Sequence, residues 1–150
     1  MKNLFHSKVK EEILSRIDKL TPTAKANWGK MNVNQNLRHI SMSFEIATGK
    51  LDPTPVKVPP IPKWLFKLIL LNAKPPKEKA ETFEETNMVA NNINPADFEE
   101  ERKNLKRVIE DFVNSDSLVP VNKIAGKFKK DDWGKLNYNH IDHHLRQFGV

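Results

Sequence analysis

The chain has 150 residues, no cysteine and a formal net charge of +6. That length suits one domain and is short for two. Without cysteine there is no disulfide, no thiolate metal ligand and no cysteine nucleophile, so any thiol chemistry needs a thiol carried by a cofactor or substrate.

The longest apolar run, Trp64 to Leu71, is broken by Lys67 and falls well short of a membrane span. The first residues hold no apolar stretch of signal-peptide length. The expectation is a cytoplasmic protein with no membrane association. Lysines are scattered without interleaved aromatics, and the densest basic run, "KFKKDDW", carries two aspartates directly behind it. The charge is read as a solvated surface that favours an anionic ligand, with no nucleic-acid partner expected.

In chain order, Val9, Ile13, Ile17 and Leu20 recur at helical spacing and predict a first helix over about 6–20, ended by Pro22. Asn32 followed by Gln35 makes a capping-box pattern. It opens a second helix that runs to about Thr48, with Gly49 as its C-terminal cap. Residues 51–94 form a long excursion that holds seven of the ten prolines around one short apolar helix near 63–72. An excursion of this length is a candidate lid or pocket wall, and plain packing is an equal reading.

Asn94 and Pro95 predict the start of a third long helix over about 95–114, with Phe98, Leu105, Val108, Ile109 and Phe112 on one face. The fourth, over about 131–148, has Asp131 and Asp132 in its first turn and Gly149 beyond its end. Four long amphipathic helices without a convincing strand hairpin predict an all-α antiparallel four-helix bundle in a single domain.

Three of five histidines, His140, His143 and His144, crowd the last helix. At about 100° per residue, Trp133, Leu136, Asn137, His140, His144 and Gln147 share one arc. Tyr138, Ile141, Leu145 and Phe148 share another. His140 and His144 are one turn apart, the spacing by which a helix offers two imidazoles to one metal ion. His143 lies about 100° round from His144, too far to join easily. On the second helix His39 stands off the Val33, Leu37, Ile40, Phe44 stripe, grouped with Gln35, Met42 and Ile46. His39 with His140 and His144 makes a candidate three-histidine site that leaves a coordination position open, as catalytic metals require. The competing reading is ordinary histidines favoured by the dipole at a helix C-terminus. His6, with no partner in view, is read as a surface residue.

The stretches "WGKMNVNQNLRHI" and "DDWGKLNYNHIDHHLRQFGV" resemble two signature regions of the DinB-like superfamily. More narrowly, they resemble an uncharacterised branch whose members end in an HxDHHLRQ-type run. The two regions cover about a fifth of the chain. The resemblance implies a four-helix bundle with an internal divalent metal held by one histidine of the second helix and two of the fourth: His39, His140 and His144. It further implies a Zn, Ni, Mn or Fe ion that activates a thiol or water, for S-transfer or hydrolysis of a small molecule. Related enzymes act with a low-molecular-weight thiol. The run "KAETFEETNMVANN" departs from any recognised pattern, so substrate identity does not carry over.

Gln35, Asn137 and Gln147 are candidates to orient a ligand or support a metal-bound group, against an equal reading as boundary residues. Trp28, Trp133 and the helix around Trp64 are candidate pocket walls or simply core. The alternative to an enzyme is a non-enzymatic metal- or ligand-binding stress-response bundle. A homodimer stays open as a partner.

Overall fold

The computed structural model describes residues 2–77 and 83–150. Residues 78–82, part of the proline-rich excursion and of the unrecognised run, lie outside that description. The fold is mostly helical. It comprises α1 (Ser7–Asp18), α2 (Val33–Ala47), α3 (Lys63–Asn72), α4 (Phe98–Asn114) and α5 (Lys130–Gln147), with a 3-10 turn at Glu84–Thr86. Among the described residues no helix is long and apolar enough to cross a membrane.

The helix ends follow from local chemistry. Before α2, Asn32 Oδ1 accepts from the Gln35 backbone N–H at 2.9 Å while Gln35 Oε1 accepts from the Asn32 N–H at 3.0 Å. Two amides that would otherwise lack helical partners are thereby satisfied. Helix α4 starts three residues later than Pro95 suggests. Asp97 is its N-cap, accepting from the Glu100 N–H at 3.0 Å. The Pro95 carbonyl instead accepts from Asn34 Nδ2 at 2.9 Å. Residues 94–97 are therefore docked on α2 rather than wound into a first turn.

A small hairpin also departs from the all-helical expectation. Strand β1 (Val121–Asn122) pairs antiparallel with β2 (Gly126–Lys127). Asn122 Oδ1 closes the turn by accepting from the Ile124 and Ala125 N–H groups at 3.1 and 3.0 Å. Gly126 takes a φ of +78°, which disfavours side chains.

The apolar stripes of the four longer helices meet in one core. Ile13 and Ile17 of α1, Leu37, Ile40 and Phe44 of α2, Leu105, Ile109 and Phe112 of α4, and Ile141 and Leu145 of α5 are fully buried. The Phe44 and Phe112 rings meet edge-on at 5.3 Å. Helix α3 is different, because only Leu71 among its residues is buried. It is tied down by Lys67, whose ammonium reaches Asp132 at 2.6 Å and the Lys127 carbonyl at 2.9 Å. Its Trp64 is 69% exposed, so that residue is not part of the core.

Two straps hold the ends of α5. At its start, Asn3 Nδ2 donates to Asp131 Oδ1 at 2.7 Å, across the bare backbone of Gly134. At its end, the Asn27 N–H donates to the Gln147 carbonyl at 2.8 Å. The second strap brings the loop before α2 against the last turn of α5.

Candidate metal centre

Helices α2 and α5 bring His39, His140 and His144 together. One ligand atom from each lies within 4.8 Å of the others, a group that can hold a metal ion. The atoms that meet are the Nε2 nitrogens. His140 Nε2 stands 3.0 Å from that of His39 and 3.1 Å from that of His144. Three nitrogens on a tetrahedral zinc ion, each at 2.0–2.1 Å, would be about 3.3 Å apart. The rings are set nearly edge-on, with interplanar angles of 63°, 73° and 89°.

The far side of each ring decides where its proton sits. A carbonyl only accepts, so His39 Nδ1–H donates to the Thr86 carbonyl at 2.8 Å. The amide nitrogen of Gln147 donates to the Trp28 carbonyl at 2.6 Å, which turns its oxygen toward His144. That oxygen accepts from His144 Nδ1–H at 2.9 Å. Both neutral rings thus present an Nε2 lone pair to the centre.

His140 has no comparable partner. It keeps part of its surface exposed, yet its Nδ1 is enclosed with no hydrogen-bond partner among the described residues. If its proton is on Nε2 it can satisfy only one of the two facing lone pairs. With the proton on Nδ1, three lone pairs confront one another. A buried polar group left unsatisfied costs about 1–3 kcal/mol. A cation accepting from all three nitrogens removes the conflict at Nε2, so the residues present fit a divalent ion.

Protonation is suppressed as a ligand set requires. Burial pulls the His144 pKa down to about 3, with the neighbouring His39 adding to the effect. His140 falls well below the ordinary value through burial and the crowding of the other histidines. His39 is lowered mainly by burial, which outweighs its bond to Thr86. His143 is not in the group. Its ring lies between Trp28, at 5.6 Å, and His144, at 5.1 Å. Its pKa is lowered by burial, then by Arg146.

The other polar candidates are placed differently from one another. Gln147 backs His144. Gln35 spends its oxygen on the capping box, and its Nε2 donates to the Ile93 carbonyl and Asn94 Oδ1, both at 2.9 Å. Asn137 is 2% exposed, and its Nδ2 meets no acceptor among the described residues. Trp133 is buried as the sequence suggests, and Trp28 packs on His143 rather than on the trio. His6 is exposed.

Three contributors carried no usable signal in the sequence. The Thr86 and Trp28 carbonyls are backbone groups that any residue supplies. Gly29, with φ +80°, matters because a Cβ there would come within 2.5 Å of Gln147 Nε2. A glycine in "NWGK" reads only as a turn.

No curated protein and no solved structure matches the chain. A family model described as "Protein of unknown function (DUF1569)" matches residues 2–149. That match spans almost all of the chain, from the Asn3 strap to the last turn of α5, and the chain belongs to the DUF1569 family.

Proposed function

We propose that this protein is a metal-dependent enzyme of DinB-like type, with its four longer helices in an antiparallel bundle. His39, His140 and His144 hold one divalent Zn, Ni, Mn or Fe ion. The substrate is a small molecule in the cytoplasm, and the reaction is S-transfer from a low-molecular-weight thiol or hydrolysis. One observation carries this reading: three Nε2 atoms converge while two of their rings are locked by Nδ1–H donors into the ligand tautomer.

When bound, the ion supplies Lewis acidity, which makes water or a thiol a better nucleophile at neutral pH. The chain supplies the rest. Thr86 and Gln147 orient two imidazoles, and burial keeps all three neutral near pH 7. Of the polar candidates, Gln147 stands behind His144, Asn137 offers a buried Nδ2 donor that meets no acceptor among the described residues, and Gln35 braces residues 93–94 beside α2. Because the chain has no cysteine, a thiol in the reaction arrives with the cofactor.

Protein purified without chelator should carry about one metal ion per chain by elemental analysis. Thiol-transfer and ester-hydrolysis screens should find turnover that chelation removes and the metal restores. Absence of stoichiometric metal overturns the reading.

The second reading, a non-enzymatic metal- or ligand-binding bundle, also has an observation behind it. Among the described residues, the trio's hydrogen-bond partners beyond one another are a carbonyl and an amide, with no carboxylate or hydroxyl as acid or base. Chelator-sensitive turnover excludes that alternative.

A further inference from the structure

The helix faces that present the histidines also wall a cavity. Ile46 follows His39 by seven residues on α2, and Trp133 precedes His140 by seven on α5. Seven residues are about two turns, so each partner lies on nearly the same face, roughly 10 Å away. Ile46 and Trp133 line a partly open cavity of about 220 Å³ together with Leu51, Phe83, Val119 and Val121. Its walls are set: the Trp133 indole N–H donates to the Val119 carbonyl at 2.7 Å, and its ring packs on Phe128 at 4.9 Å. Lys123, among the lining residues, is paired with Asp52 at 2.8 Å.

Two further observations tie this cavity to the trio. Phe83 stands on the cavity, and three residues later the Thr86 carbonyl holds His39. Asn137 lies between Trp133 and His140 on the shared arc, buried, with its Nδ2 donor unmet among the described residues. An oxygen placed there would satisfy it.

We infer that the cavity, Asn137 and the trio form one elongated site. Its ligand is a small molecule with a compact apolar group, aryl or short alkyl, and a hydrogen-bond-accepting oxygen between that group and the histidines. The size supports the class. A dry cavity of about 150 Å³ takes benzene, whereas drug-sized ligands need roughly 300–1,000 Å³. The one lysine is already neutralised, so a phosphorylated group is a poor fit. The histidine end of this inference rests on the proposed metal function; the cavity end does not.

The test uses 4-fluoroacetophenone, whose fluorine reports by NMR, on the full chain. Saturable binding to metal-free protein is expected, weakened at least about 10-fold by Ile46→Phe, which fills the cavity. Val121→Trp, at a half-exposed rim position that tolerates change, should weaken it as well. Asn137→Leu should cost about 5-fold for the ketone and little for 4-fluorotoluene, the worth of one hydrogen bond. Loading with Mn²⁺ should broaden the bound fluorine line, as a paramagnet about 10 Å away does, and His140→Ala should abolish the broadening while binding persists.

No saturable binding, or binding indifferent to both cavity variants, overturns the inference. So does a sharp line in protein whose Mn²⁺ content is confirmed, an outcome that leaves the metal reading intact. Protein that takes up no Mn²⁺ overturns the metal reading and the joined site together, while probe binding still reports the cavity.

Discussion

Gln147 fixes the tautomer of His144. Its oxygen accepts from Nδ1–H at 2.9 Å because its nitrogen is already committed to the Trp28 carbonyl at 2.6 Å. Such partners behind a ligand typically contribute 10–100-fold to metal affinity. Gln147→Leu should therefore weaken the ion by about that factor in competition with a chromophoric chelator. Gln147→Glu should retain more affinity, since a carboxylate still accepts from Nδ1–H, though it loses the donor to Trp28.

The turn that carries Trp28 is equally exacting. Gly29→Ala places a methyl against Gln147 Nε2 and holds alanine at φ +80°. The left-handed conformation alone costs about 1–2 kcal/mol. For a domain of this size that is a Tm loss of roughly 2–8 °C by calorimetry, accompanied by weaker metal binding.

Substitution of each proposed ligand separates the trio from its neighbours. His39→Ala, His140→Ala and His144→Ala should each lower metal affinity more than about 100-fold, beyond the usual effect of a supporting residue. His143→Ala and His6→Ala should keep close to one ion per chain by elemental analysis. Metal retained in the first three variants would contradict the ligand assignment.

Acid should destabilise the metal-free protein in a defined window. The folded pKa values of the trio lie below the ordinary 6.5, to about 3 for His144. The unfolded chain therefore binds more protons as pH falls. Stability from this source is complete above pH 6.5 and declines below it, by up to about 1.4 kcal/mol per pH unit for each such histidine. Denaturant titrations between pH 7 and 5, above most carboxylate titration, should show the decline. In the variant His144→Phe it should be shallower, and bound metal should delay it, because the ion competes with protons.

The strap at the start of α5 gives a stability test remote from the site. A Cβ on Gly134 would overlap Asn3 Oδ1 and lie 2.6 Å from Phe5. Gly134→Ala should cost about 1–3 kcal/mol by denaturant unfolding, with metal content unchanged.

Local patterns in the sequence were enough for much of this fold. The stripes through Ile13 and Ile17, through Leu37, Ile40 and Phe44, and through Leu105, Ile109 and Phe112 are buried as their 3.6-residue spacing requires. The Asn32–Gln35 capping box forms because both partners lie within one turn. The His140–His144 pair is legible for the same reason. His39 is legible only as a histidine on a mixed surface beside the apolar stripe, which makes it a candidate third ligand, and the family resemblance implies the same residue.

Chain folding settled what has no local period. The start of α4 moved to Phe98 because a side chain 61 residues away, Asn34, takes the Pro95 carbonyl. The hairpin at Val121–Lys127 is too short to alternate visibly, and Trp64 faces solvent because α3 packs with a different side inward. At the centre, sequence alone identified the imidazoles but not their protonation. That depends on the Thr86 carbonyl and, through Gln147, the Trp28 carbonyl, which are backbone groups common to every residue and distinguished only by where the folded chain puts them.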